Sequence, residues 1–385
     1  MSGLDTTALA RLRTAVESDI ELGRYDGAVV LVARDGEVGM LEAIGSSDRD
    51  AGRPARTDDV FRVLSVTKAL TNVLVLAAIE RGHFALTSKV ADVIPEFLGS
   101  DRFRGGAKTA VTVKHLLTHS AALPGTPYPL PPLELGDLAA TVAAICEMDL
   151  TGQPGAGVNY SPALNHALLG EMVRRTMGGG RRLRDVLRAE LVEPLGMTST
   201  ALGAPRAWAD RIVPLRARFE PGGWLGPEDI EIMNDAVHED AEMPWVGSVS
   251  TVGDLFRLAE MVRRGGELDG VRILSPAIID RATTLQTGDA LNDLYTALAH
   301  AEGWEPAPAN VGLGFMLRGE GIYHHFFGTL ASPRTFGNFG AGSSLFWVDP
   351  EKGLTFVCLT AGVMEEAPNI LRFQRLSDMA HAAAV

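Results

Sequence analysis

The run Phe61–Asn72 reads FRVLSVTKALTN, and its reading decides the fold. Ser65 and Lys68 stand three residues apart, which on a helix puts them on one face, about one turn from each other. The residues that follow (Ala69, Leu70, Val73, Leu74, Leu76, Ala77, Ala78 and Ile79) are apolar nearly all the way round. A helix with so few solvent-facing positions is buried. Lys68 therefore sets an amine at the edge of a core, where a charge is costly unless a partner or a chemical task accompanies it. Lysine is used sparingly, with five in the whole chain.

Outward from this run, GAVVLVAR at 27–34 and EVGMLEAI at 37–44 are strand-like and joined by Asp35-Gly36, a hairpin signal. The middle of the chain is helical and turn-rich, with helices expected at 113–119, 135–148 and 162–177. Gly178-Gly179-Gly180 reads as a linker before RRLRDVLRAEL. Residues 219–247 read as irregular, with a dense acidic run from Glu228 to Glu242 expected at the rim of a cleft. A helix at 252–264 and another capped by Ser275-Pro276 follow. Strands are then expected at 312–319, 340–349 and 353–361, and an amphipathic helix at 368–383. Strands at both ends with helices between them predict an α/β protein of the α+β type. Residues 1–80 and 248–385 form one antiparallel sheet domain flanked by helices, and 81–247 form a mainly helical insertion. Ser65 falls where the two meet.

Composition narrows the function. The 385 residues are 46% hydrophobic and 22% charged, ordinary for a globular protein. The net charge is −13, which disfavours nucleic acid and anionic membrane surfaces as partners. No apolar run is long enough for a membrane span. The start, MSGLDTTALARLRTAVESDI, has no apolar core of a signal peptide and reads as an amphipathic helix. Cys146 and Cys358 lie far apart and without metal-ligand spacing, as buried free thiols of a reducing compartment do. These features predict a cytoplasmic protein. His238-Glu239-Asp240 lacks the spacing of a zinc helix, so no metal and no organic cofactor is expected.

Ser65-x-x-Lys68 belongs to an ordered set: GAVVLVARDG at 27–36, HLLTHSAALPG at 115–125, VEPLGMTST at 192–200, GSVSTVGDLFRLAEMV at 247–262 and SSLFWVDPEKGLTFVCLT at 343–360. In this order the set resembles the serine β-lactamase-like family, which includes class C β-lactamases, D-stereospecific peptidases, family VIII carboxylesterases and related acyltransferases. The resemblance covers almost the whole chain and implies a β-lactamase/transpeptidase-like fold. It also implies an acyl-Ser65 intermediate, with Lys68 and Tyr160 as the acid/base pair. Tyr160-Ser161-Pro162 matches the family's Tyr-x-Asn, and Asn338-Phe339-Gly340 matches its Lys-Thr-Gly or His-x-Gly.

A serine hydroxyl needs such a base before it becomes a nucleophile. The N–H groups of Ser65 and Ala341 would form the oxyanion hole, and Asn338, Phe339 and Gly340 would border the substrate, Gly340 leaving room for it along the strand. Two departures matter: Pro162 has no side-chain donor, and Asn338 carries no charge. Arg334 could supply a cation instead, though the ordinary reading is a surface arginine. His119 reads as a structural turn residue, and His324-His325 either line the cleft mouth or pack as a core loop. The implied partner is a small-molecule acyl donor, with water or an amine or alcohol as acceptor. Simple esters are expected to outrank β-lactams. A D-stereospecific amidase or peptidase, a β-lactamase, and a non-catalytic binding protein on the same fold are the alternatives.

Overall fold

The computed structural model describes residues 3–99, 106–221 and 225–385. The first hairpin forms as its turn chemistry dictates. Strands β1 (Gly27–Arg34) and β2 (Glu37–Asp48) pair antiparallel with Arg34 opposite Glu37. Asp35 and Gly36 have φ of 52° and 86°, the left-handed pair that a two-residue hairpin turn of this hand requires. The other strands in chain order are β3 (Arg53–Pro54), β4 (Val60–Arg62), β5 (Ala201–Leu202), β6 (Ile212–Val213), β7 (Ser248–Ser250), β8 (Glu267–Leu268), β9 (Val271–Arg272), β10 (Met316–Leu317), β11 (Phe336–Gly340), β12 (Ser344–Asp349) and β13 (Leu354–Ala361).

The main sheet runs β10-β11-β12-β13-β1-β2-β3, antiparallel throughout, so the chain's two ends meet at the β13–β1 seam. Its central strands are apolar on both faces, and alternation sorts their side chains into two cores. Val29, Leu31, Phe346, Val357 and Leu359 face one core with the buried helix Thr67–Glu80 and the helix Val252–Arg263. Val30, Val32, Trp347, Phe356 and Cys358 face the other, with Leu9, Leu12 and Val16 of the helix Thr6–Glu21 and Phe373 and Leu376 of the helix Glu366–His381. The sheet is thus sandwiched between helices. A second sheet, β5-β7-β4-β6, lies beside the Ser65 turn; β5 and β6 come from the middle of the chain and pair with β7 and β4. The helix Leu164–Met177 packs on Thr67–Glu80, and the two share one core.

Several expected elements change shape. The strand at 312–319 shrinks to β10, because a turn precedes it: the Gly312 N–H donates to the Phe315 carbonyl, and Gly314 sits at φ +84°. The expected 340–349 strand is two strands. β11 ends at Gly340, a turn with Gly342 at φ +61° reverses the chain, and β12 starts at Ser344. Within 219–247 two short helices form, Pro227–Glu231 and Met233–Ala236, while Gly222, Gly223 and Trp224 lie outside the described residues. Asn292 caps a further helix, Asp293–Glu302, that was not expected. Both cysteines are buried free thiols. Among the described residues no helix is long and apolar enough to cross a membrane.

Candidate active site

Ser65 stands in the turn Leu64–Val66 that opens onto the helix Thr67–Glu80. Leu64 holds φ +47°, a left-handed conformation that a branched side chain adopts only when its surroundings over-determine it. Those surroundings are visible. Ser344 Oγ donates to the Val63 carbonyl at 2.8 Å, the Val63 N–H donates to the Ser248 carbonyl at 3.1 Å, and the Ser248 N–H donates to Thr67 Oγ1 at 2.9 Å. Strand β11 presses on the same turn. A Cβ on Gly340 would stand 2.6 Å from the Val63 carbonyl oxygen and 3.0 Å from the Ser65 nitrogen. Gly340 is therefore glycine so that β11 can close on the Ser65 turn; the space expected for substrate along it is occupied by backbone.

Lys68 Nζ lies 2.8 Å from Ser65 Oγ and donates to the Trp245 carbonyl at 3.0 Å. Its side chain is buried with no carboxylate beside it, and burial drives its pKa down to about 7. The Tyr160 hydroxyl is 3.2 Å from Ser65 Oγ, and burial pushes its pKa up to about 12. At neutral pH Tyr160 is a phenol and Lys68 is the group poised to lose its proton. Once Lys68 has lost that proton the hydrogen bonds close: Ser65 O–H donates to Nζ, Nζ–H to the Trp245 carbonyl, and Tyr160 O–H to Oγ. Among the described residues neither the Ser65 nor the Ala341 amide N–H has a protein acceptor.

The residues behind this trio hold it in place. His119 lies against the Tyr160 ring at 4.8 Å, and its Nδ1 accepts from the Ser161 N–H and the Asn165 amide. Burial keeps its pKa down at about 3, so it is neutral and structural, as its sequence predicts. Asn338 donates to the Gly314 carbonyl at 3.1 Å, beside Asn72, which donates to the same oxygen at 2.7 Å. Phe339 stacks on Phe326 at 3.9 Å.

Two cavities open on either side of Ser65, and Ser65, Tyr160, Tyr295, Leu298 and Phe339 border both. The smaller, about 110 Å³, is lined by Lys68, His119, Asn338, His324 and His325, so both histidines of the 324–325 pair do reach the cleft. The larger, about 510 Å³, is lined by Pro162, Trp245, Ala341, Asp229 and Glu366.

Arg334 borders neither cavity; it is exposed and reaches toward Asp280 at 3.9 Å. The acidic run divides in two. Asp229 borders the larger cavity, but Glu239 pairs with Arg206, Asp240 with Arg182 and Arg184, and Glu242 with Arg182, so its C-terminal part is neutralised by arginines and borders neither cavity. Among the described residues no three His, Cys, Asp or Glu side chains are grouped to hold a metal ion.

Sequence reasoning missed Tyr295 and Glu366. The Tyr295 hydroxyl donates to Glu366 Oε1 at 2.9 Å, and the Tyr295 ring meets Tyr160 edge-on at 6.5 Å and Phe339 at 6.0 Å. The signal for Tyr295 was the helix Asp293–Glu302, with an asparagine cap before it and Gly303 after it; Glu366 merely begins the last helix.

Known proteins resemble the chain in sequence and fold. Esterase EstB of Burkholderia gladioli is 36% identical over 208 residues, and the match spans about half of each chain (50% of this one, 52% of the esterase). Esterase/beta-lactamase LipL of Mycobacterium tuberculosis is 28% identical over 360 residues, 86% of this chain and 76% of that one. A solved penicillin-binding protein homolog from Caulobacter crescentus superposes with a TM-score of 0.78 at 28% identity, covering 99% of this chain and 98% of its own. A solved family VIII carboxylesterase also reaches 0.78, at 21% identity, and shares the fold. The family model described as Beta-lactamase matches residues 12–378, and the chain belongs to that family.

Proposed function

We propose that the protein is a serine esterase or acyltransferase that works through an acyl-Ser65 ester on a small-molecule substrate. One observation carries this: Ser65 Oγ lies within hydrogen-bond reach of both an amine whose pKa burial lowers to about 7 and a phenol kept protonated by burial. Lys68 takes the Ser65 proton as Oγ attacks the acyl carbon. The carbonyl oxygen, now negative, lies between the free N–H groups of Ser65 and Ala341. As the tetrahedral adduct collapses, Tyr160 gives its proton to the departing oxygen and recovers one from Lys68. Water, an alcohol or an amine then attacks the ester, with the proton moves reversed. Residues 81–247 act here as a mainly helical unit that brings Tyr160 to a site whose other parts stand on 1–80 and 248–385. Cys146 and Cys358, both free, fit a cytoplasmic setting.

Esters are favoured over β-lactams because no cation awaits a substrate carboxylate: Lys68 is the one lysine or arginine among the residues lining either cavity. The test is labelling with a fluorophosphonate, then comparison of kcat/KM for nitrocefin and a short-chain p-nitrophenyl ester. The label belongs on Ser65 and the ester is the better substrate; a label elsewhere, or nitrocefin equal or better, overturns the reading.

A further inference from the structure

The larger cavity has walls of two kinds. Tyr128, Tyr160, Phe219, Trp245, Tyr295 and Phe339 supply aromatic groups, and Asp229, Glu302, Glu365 and Glu366 supply carboxyls. None of its lining residues is a lysine, an arginine or a histidine. The four carboxyls differ from the C-terminal part of the acidic run. Glu239, Asp240 and Glu242 each face an arginine, whereas none of these four is within ion-pair distance of a cationic side chain among the described residues. Asp229 caps Gly226, and Glu366 receives only the Tyr295 hydroxyl. The partial positive charge at the start of the last helix is met by Glu366 itself.

Carboxyls without a cationic partner around aromatic faces form a combination that favours an organic cation: the rings attract it through their quadrupoles and the carboxylates through charge. Such a wall repels a carboxylate ligand. Position fixes which end of the substrate enters. Tyr160, which gives its proton to the leaving oxygen, borders both cavities, but Lys68, which returns that proton to it, lines only the smaller, so the leaving group is assigned there. Ala341, half of the oxyanion hole, lines only the larger one, and the acyl group extends into it.

We infer that the larger cavity is the acyl site for donors whose acyl chain carries an ammonium group, read by Glu366 and Asp229 among the aromatic side chains. This rests on the acyl-Ser65 reading, though binding tests it separately. Burial pushes the Glu366 carboxyl up to about 7, so a cation arriving beside it draws the carboxyl into its ionised form.

The probes are the N-methylamides of 4-(trimethylammonio)butanoate and 5,5-dimethylhexanoate, which differ only in nitrogen for carbon. With full-length Ser65→Ala protein, calorimetry gives a Kd about tenfold lower for the cation. Adding Glu366→Gln removes most of that preference, as does Asp229→Asn, a second variant whose amide can still cap Gly226. Equal affinity, tighter binding of the neutral amide, no binding of either, or a preference indifferent to both substitutions each overturns the inference. The matching p-nitrophenyl esters on wild-type protein address the chemistry: cation-selective binding without turnover would remove the acyl-enzyme reading and leave the binding site standing.

Discussion

The two cavities beside Ser65 share five wall residues and are both rich in aromatic rings, yet differ in their ionisable groups. The smaller holds a buried amine, three histidines, the Asn338 amide and one carboxyl, Glu305; the larger holds four carboxyls that face no cation. The amine that takes up the serine proton thus stands on one side of the nucleophile and the carboxyls that would read a cation on the other. A single serine can serve both because Tyr160, Tyr295 and Phe339 stand between the two spaces. The division predicts which substitutions damage chemistry for every substrate and which change only the choice of substrate.

The largest effect belongs to the shared atom. Ser65→Ala should lower kcat/KM by about a thousandfold or more for all esters, whichever cavity they fill. A residual rate close to wild type would remove the basis for comparing the two sides. Next comes Gly340→Ala, where the added methyl meets Val63 and Ser65 backbone. Overpacking there costs about 1–3 kcal/mol, visible in the denaturant midpoint. It also displaces the Ser65 N–H, so activity falls for acetate and longer esters alike. A variant with wild-type kcat/KM would show that β11 and the Ser65 turn are less tightly fitted than the close contacts imply.

The chemistry side has a pH signature of definite sign. Lys68 must be unprotonated to accept the serine proton, and burial sets its pKa at about 7, far below the ordinary lysine range. For a neutral short-chain ester, kcat/KM should rise about tenfold per pH unit below 7 and level off above it. A rise centred near 10 would mean that Lys68 is solvated in the working enzyme. The recognition side breaks differently. Ala297 lines only the larger cavity and Ala309 only the smaller. Ala297→Trp should slow long-acyl esters about tenfold and spare acetates, while Ala309→Trp should slow esters of bulky alcohols and spare methyl esters. Identical profiles for the two variants would merge the cavities into one site.

The two sides were also unequally legible in the sequence. Ser65 and Lys68 show themselves because one helical turn fixes their relation, and Tyr160 because it falls in an ordered set of segments. Tyr295 and Glu366 are 71 residues apart and meet only when the helix Asp293–Glu302 settles over the cleft. No local pattern records that meeting. The acidic run misled for a related reason: its arginine partners at 182, 184 and 206 lie upstream, 58 residues away for Arg182 and Asp240, so composition could not tell a neutralised acid from a free one. Strand β11 hid behind Pro333 and two glycines, one of which is there for packing against the Ser65 turn.

The smallest expected effect sharpens the comparison most, because it asks whether a single charge sets the smaller cavity's taste. Asn338 borders that cavity and donates to the Gly314 carbonyl, an oxygen that Asn72 also serves. Asn338→Lys therefore leaves Gly314 with one donor and adds a second lysine where Lys68, held by Ser65 and Trp245, is otherwise the one lysine or arginine. Hydrogen bonds to a charged group are about twice as strong as neutral ones, so nitrocefin, with its carboxylate, should gain about fivefold in kcat/KM. An uncharged p-nitrophenyl ester should change by less than about twofold, and the nitrocefin gain should shrink as salt screens the charge. A parallel fall for both substrates would point to a disturbed β11 rather than a change of selectivity. No gain for nitrocefin in a variant with intact esterase activity would locate the barrier in the carboxyl-lined acyl cavity, since that side alone would then be turning anions away.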